Sequence, residues 1–438
     1  MDLLLIGFLS IIIFGLFSIA IRYVSPNKKI YLFELGYFYP ITIVLSILLS
    51  VVPLWVTESL GISPLDNRFF KDYFDYKDAE AVGLMYLLYL VAFCTAYTFF
   101  RKGVNSCRNI SINSIEVSIK GTLFVVSIYV LFEVYLITIR LLYHVEAESY
   151  ADTYIMYKGL PLILQQITGV VIGTMYIIKI LLLIVLFQKY RQYKIIIWGF
   201  VGYQFLETLL VLGERSNLVI LITTFLILYH TTVKPISLKT MLIVGVFGIV
   251  FITALGELRN TKGDVSALIE DSNGTPNGGE FESVFLNSVD LYQRKGKEKV
   301  NVPISLYFSG LVSLIPQQLL PFEKTTYADW YVGTYYPDFQ ERGNGFAFGV
   351  VAESIVGFGV VQLIFHAFIL AYLFAKFHRI YLKENLSIQF CCFYVWLTLF
   401  SYYCFRFNTF YLVPLIVYRF FPTNLLFGLI NSKVKTIS

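Results

Sequence analysis

Apolar side chains run almost unbroken for about twenty residues at a time along most of this chain, and polar ones gather in the intervals between. A helix rises 1.5 Å per residue, so roughly 20 apolar residues cross the ~30 Å hydrocarbon core of a bilayer. Eleven such runs occupy residues 3–21, 35–56, 80–100, 119–139, 162–187, 195–213, 217–233, 240–256, 351–374, 386–402 and 408–421. They are too long, and alternate too little, to be barrel strands. The pattern predicts an all-α polytopic membrane protein with about eleven transmembrane helices.

One interval departs from short hairpins. Residues 257–345 form a loop of 89 residues, which divides the chain into helices 1–8 (1–256), the loop, and helices 9–11 with the C-terminus (346–438). Loops of that length are usually functional. It opens with a turn-rich stretch, "EDSNGTPNGGE", followed by an amphipathic segment, "FESVFLNSVDLYQRKGKEK". Then comes "VPISLYFSGLVSLIPQQLLPF", apolar but punctuated by Pro303, Pro316 and Pro321. The first two prolines leave too little room for a span, so an interfacial or re-entrant helix is predicted over Val302–Phe322.

Composition agrees with the pattern. Of 438 residues, 57% are hydrophobic and only 14% charged, with a mean hydropathy of +0.70. Soluble domains carry about 25% charge. The net charge of +5 is informative through its placement, and it is no nucleic-acid signature. Alternate short loops hold Arg22, Lys28 and Lys29; Arg101, Lys102 and Arg108; Lys189, Arg191 and Lys194; Lys234 and Lys239; Lys376, Arg379 and Lys383; Lys433 and Lys435. The positive-inside bias puts these in the cytoplasm, with the N-terminus outside and the C-terminus inside. "MDLLLIGFLS" lacks a basic n-region and a cleavage site, so it is expected as a retained first span. The cysteines Cys94, Cys107, Cys391, Cys392 and Cys404 show neither disulfide nor metal spacing and are expected as packing residues.

Soluble catalytic motifs are absent: no phosphate-cradling glycine loop, metal-binding histidine pair or nucleophile elbow. His144, His230, His366 and His378 are scattered and expected in packing or surface roles. Polar oddities collect instead at the predicted external face. "LGERSN" places Glu214 and Arg215 in a short turn, "CFRFN" places Arg406 in another, Arg259 follows the eighth run and Arg342 precedes the ninth. Single arginines at span ends commonly snorkel and anchor. Clustered guanidiniums also hold phosphates bidentately. Within the runs, Glu133 and Arg140 are expected as a structural ion pair, while Lys179 and Glu207 interrupt the next two spans.

The run "GNGFAFGVVAESIVGFG", residues 343–359, adds a carboxylate. On a continuous helix Gly345, Gly349, Glu353 and Gly357 would form one stripe, with a glycine a turn above and below Glu353. Two readings follow: an open groove beside a potential general base, or close helix packing of the small-xxx-small type.

These stretches together resemble bacterial oligosaccharide repeat-unit polymerases, the O-antigen polymerase family. The glycine-rich run with its glutamate is similar to the family's span opening after the large loop. "LGERSNLVIL" resembles its arginine turn, "LIPQQLLPFEK" its proline–lysine segment, and "FRFN" the arginine before the last span. The resemblance covers most of Glu214 to Asn408; the earlier spans match only as hydropathy. It implies a GT-C-like glycosyltransferase of the bacterial inner membrane, working without cofactor or metal on undecaprenyl-diphosphate-linked oligosaccharides as donor and acceptor. By that resemblance Arg215 and Arg406, helped by Arg342, hold the leaving diphosphate, and Glu353 deprotonates or orients the acceptor hydroxyl. Arg259, Lys324, Glu214, Gly345 and Gly349 complete the expected substrate site. A flippase and a chain-length regulator are the implied partners. Neither Arg259 nor Arg342 has the glycine eleven positions on that some relatives show. Two rivals remain. A ligase would use a histidine in the large loop, and none lies between His230 and His366. A lipid-linked oligosaccharide flippase is the non-enzymatic alternative.

Overall fold

The computed structural model describes residues 2–28, 32–61, 74–104, 115–143, 159–210, 215–237, 279–297, 300–315, 319–322, 324–337, 347–382, 387–429 and 432–434, with single positions between 240 and 248. The helices are α1 (Leu3–Val24), α2 (Leu35–Ser59), α3 (Tyr76–Arg101), α4 (Ile119–Leu142), α5 (Leu162–Phe187), α6 (Tyr190–Leu210) and α7 (Arg215–Leu228), the last running on as a π turn to Val233. After the long interval come α8 (Gly279–Lys297), α9 (Ile304–Tyr307), α10 (Ser309–Val312) and α11 (Tyr327–Tyr335). The chain closes with α12 (Val350–Val356), α13 (Val360–Tyr381), α14 (Ile388–Phe400), α15 (Tyr403–Arg406) and α16 (Leu412–Leu429). Two three-residue strands, β1 (Ile115–Val117) and β2 (Ser432–Val434), pair antiparallel.

Among the described residues, six helices are long and apolar enough to cross a membrane: α1, α2, α3, α4, α5 and α13. Their outward faces carry the apolar stripes a lipid solvent requires. On α1 the exposed side chains are Leu5, Phe8, Ile12, Leu16 and Ile19; on α13 they are Val361, Phe365, Phe368 and Tyr372. The starts are set by side-chain caps that satisfy orphan amides. Asp2 accepts from Leu4, Asp75 from Lys77 and Ser118 from Gly121. The runs at 217–233, 386–402 and 408–421 appear as shorter apolar helices, while most of the 240–256 run lies outside the described residues.

The chain divides into two compact units. The first comprises Met1–Ser106, Gly274–Arg379 and Phe400–Pro414. In it α1, α2 and α3 pack mutually, and α8 lies against α2, α3 and α12. This amphipathic segment is far from a surface helix: residues 284–291 are all buried, among them Asn287, Ser288 and Asp290. Asn287 Nδ2 donates to the Ala347 carbonyl at 2.8 Å and so ties α8 to the approach to α12. At one end of this unit a buried ionic knot joins α2, α3 and α13. Arg101 donates to both oxygens of Glu34, Nη2 to Oε2 at 2.8 Å, and to Ser25 Oγ at 2.8 Å. Tyr97 donates to Glu34 Oε1 at 2.7 Å, and His378 Nε2 lies 3.4 Å from Oε2. Burial opposes charge on Glu34, yet His378, Arg101 and Tyr97 together hold it at about 2.

The second unit comprises Cys107–Asn273, Ile380–Leu399 and Leu415–Ser438. Here α4 packs on α5, and α5, α6 and α7 pack against one another. The expected Glu133–Arg140 pair is corrected: Glu133 meets Lys179 of α5 at 3.9 Å and accepts from Tyr129 at 2.6 Å. Seven residues along a helix is about 10 Å, whereas a neighbouring helix offers a cation at contact distance. The described cysteines Cys94, Cys391, Cys392 and Cys404 are free and buried, as expected of packing residues; Cys107 and His144 lie outside the described residues.

Candidate functional site

The run around Glu353 does not form one continuous helix. Gly349 caps α12 from outside it, with φ −77° and ψ 165°, and only seven residues are helical before Gly357. Gly359 then adopts φ +67°, a conformation that glycine takes without penalty. Its amide donates to Ser354 O at 2.8 Å, closing α12, and Gln362 Oε1 accepts from Phe358 N at 3.0 Å ahead of α13. The predicted helical glycine stripe is therefore corrected, because two of its members sit in the bends that bound α12. The groove reading fails at Gly349 as well. A Cβ there would lie 2.7 Å from Val284 Cγ1 and 3.1 Å from the Phe405 carbonyl oxygen. The missing side chain lets α8 and the α15 backbone approach closely.

That approach brings together two stretches that are separate in sequence. Glu353 is 2% exposed. Its Oε2 accepts from the Thr409 amide at 2.7 Å and from Thr409 Oγ1 at 2.9 Å. Thr409 stands three residues after Arg406, in the turn between α15 and α16. Oε1 has no hydrogen-bond donor among the described residues. Glu353 lies ahead of the candidate span α13, not within it. Burial pushes its carboxyl above the ordinary range, and the two Thr409 donors pull it partly back.

Around this pair the long interval supplies the walls. Lys295 of α8 donates to Ile355 O, and Tyr307 of α9 reaches Val356 O at 3.4 Å. Tyr327 of α11 stacks on Phe348, with ring centroids 5.1 Å apart. Burial and the charge of Glu353 raise the phenols of Tyr307 and Tyr327. Asn408 meets Ser309 at 3.5 Å, so α10 lies on the same turn that carries Thr409. Lys324 donates to Ser313 O at 3.2 Å and fastens the segment after α10.

Arg406 is half-buried, with its guanidinium carbon 5.3 Å from the Phe407 ring and 6.0 Å from Tyr403. Tyr403, Phe407 and Tyr411 lie nearly parallel, at centroid distances of 5.1 and 3.9 Å. A second polar cluster was not anticipated from sequence. Asp290 accepts Tyr331 OH at 2.6 Å and Tyr336 OH at 2.9 Å, and Arg294 Nε lies 3.0 Å from both its oxygens. Burial and Asp290 push Tyr336 up to about 12. The i,i+4 spacing of Asp290 and Arg294 was the available signal.

Of the predicted site residues, Glu353, Arg406, Lys324 and Gly349 are placed in the first unit. Arg215 opens α7, and its side chain lies outside the described residues, as Glu214, Arg259, Arg342 and Gly345 do entirely. Among the described residues no three His, Cys, Asp or Glu side chains converge as metal ligands. No family model matches the chain, and neither a curated protein nor a solved structure matches it.

Proposed function

We propose that this protein polymerises oligosaccharide repeat units carried on undecaprenyl diphosphate. The observation that supports the reading is the junction of Glu353 with the Arg406–Thr409 turn. It sets a buried carboxylate, with one oxygen held by Thr409 and the other without a donor among the described residues, beside the turn that bears an arginine. In the proposed reaction the acceptor sugar hydroxyl attacks the anomeric carbon of the donor chain. The new glycosidic C–O bond forms as the bond from that carbon to the lipid diphosphate breaks. Glu353 takes the hydroxyl proton, and Arg406 neutralises the departing diphosphate. The planar guanidinium fork suits a phosphate better than an ammonium does.

The finer topology belongs to this proposal: eleven spans in the inner membrane, N-terminus outside, C-terminus cytoplasmic, and the site on the external face. A flippase would supply the substrate at that face, and a chain-length regulator would set the product's size. The test is extension of lipid-linked repeat unit by purified protein in nanodiscs. The unit is extracted from a strain lacking this chain. A ladder of longer glycans is expected. A flippase would move substrate across vesicles without lengthening it, and that result would replace the polymerase reading.

A further inference from the structure

We infer that Thr409 is a positioning residue that fixes Glu353 by one oxygen and thereby presents the other to the acceptor. The inference rests on Glu353 acting as the base. Thr409 spends both its backbone amide and its hydroxyl on Oε2, at 2.7 and 2.9 Å. An oxygen accepting two donors has its lone-pair directions largely occupied, and the bonds stop rotation about the terminal torsion of the carboxylate. Oε1 is then the oxygen left to receive a proton. The same turn bears Arg406, so the group that would meet the diphosphate and the group that aims the base are three residues apart.

The other charged and titratable groups packed around Glu353 come from several elements. Lys295 of α8 is bonded to Ile355 O, and Tyr307 of α9 is directed to Val356 O. Tyr327 of α11 stacks on Phe348, while Tyr86 of α3 turns its hydroxyl toward Ser288. Arg406 of α15 packs against Phe407 and Tyr403. None of these bonds is made to the carboxylate, so Thr409 is the residue whose change should move its titration most directly.

The experiment uses full-length protein in nanodiscs and pH-difference infrared spectroscopy. The Glu353 carboxyl band is identified as the one that vanishes in Glu353→Gln. Thr409→Val keeps the side-chain shape and the amide donor but removes the hydroxyl. Loss of a hydrogen bond to a charged group should raise the midpoint by about one pH unit. Thr409→Ser should return it to the wild-type value. The acid limb of the extension rate should move upward by the same interval, because a general base fails when protonated. If the valine variant does not accumulate, Thr409→Ala takes its place with the same expected shift. An unmoved infrared midpoint overturns the inference whatever the activity. A moved midpoint with an unmoved rate profile overturns it as well, and assigns that failure to the base role of Glu353.

Discussion

Adding one methyl group at Gly349 tests whether the site is assembled by close backbone contact. The added carbon would lie 2.7 Å from Val284 Cγ1, 3.1 Å from the Phe405 carbonyl oxygen and 3.7 Å from that of Arg406. Comfortable carbon contacts are about 3.5–4.0 Å. Val284 is 3% exposed within α8, so its methyl has little room to retreat, and the carbonyl belongs to the turn that leads to Thr409. Overpacking of this kind costs roughly 1–3 kcal/mol. Val284→Ala alone should also destabilise, by about 1.5 kcal/mol for the buried carbons it deletes. Combined, the two changes should relieve each other, because the alanine at position 284 vacates the space that the new methyl needs. A coupling of about 1 kcal/mol or more is expected. The assay is equilibrium unfolding in detergent, followed by tryptophan fluorescence, for the four members of the cycle. Additivity within about 0.5 kcal/mol would refute the close contact and restore the open groove.

The ionic knot makes a separate prediction about stability. Arg101→Met strips the buried Glu34 charge of its guanidinium partner, and should cost about 3–5 kcal/mol in the same unfolding assay, with Glu34→Gln/Arg101→Met recovering most of it. With Glu34 held at about 2 against an ordinary 4.5, its contribution is complete above pH 4.5 and is lost as pH falls toward 2. The integrated worth is roughly 3 kcal/mol. The deficit of Arg101→Met should therefore shrink on acidification, and a deficit that stays constant would contradict it. The two four-residue helices α9 and α10 are too short to span. Single cysteines at Asn301 and Lys324, on a cysteine-free background, should both react with an impermeant reagent added outside. Reaction from opposite sides would mark a span and break the proposed topology.

The long helices were legible because a bilayer-length apolar run is a statement about solvent as much as about propensity. The burial of α8 was not. The segment reads as amphipathic in sequence, yet its polar Glu282, Asn287, Ser288 and Asp290 are all buried on a helix packed against α2, α3 and α12. Likewise Gly349 and Gly357 fit a helix-packing stripe on paper, yet they sit in the bends that bound α12, and Gly359 just beyond takes a positive φ. Glu353 and Arg406 stood out as charges beside apolar runs. Thr409 carried no such contrast. It lies 56 residues from Glu353, and only the approach of the turn to α12 gives its hydroxyl a meaning.

Glu353→Gln addresses the central claim most directly. The amide keeps the shape of the side chain and can still accept from Thr409, yet it cannot take a proton from a sugar hydroxyl. The measurement is extension of extracted lipid-linked repeat unit by the purified variant in nanodiscs, beside wild type at equal protein. The proposed chemistry predicts a folded, normally inserted protein that makes no ladder, a loss of at least a hundredfold for removal of a general base. A ladder formed by Glu353→Gln at the wild-type rate would contradict it.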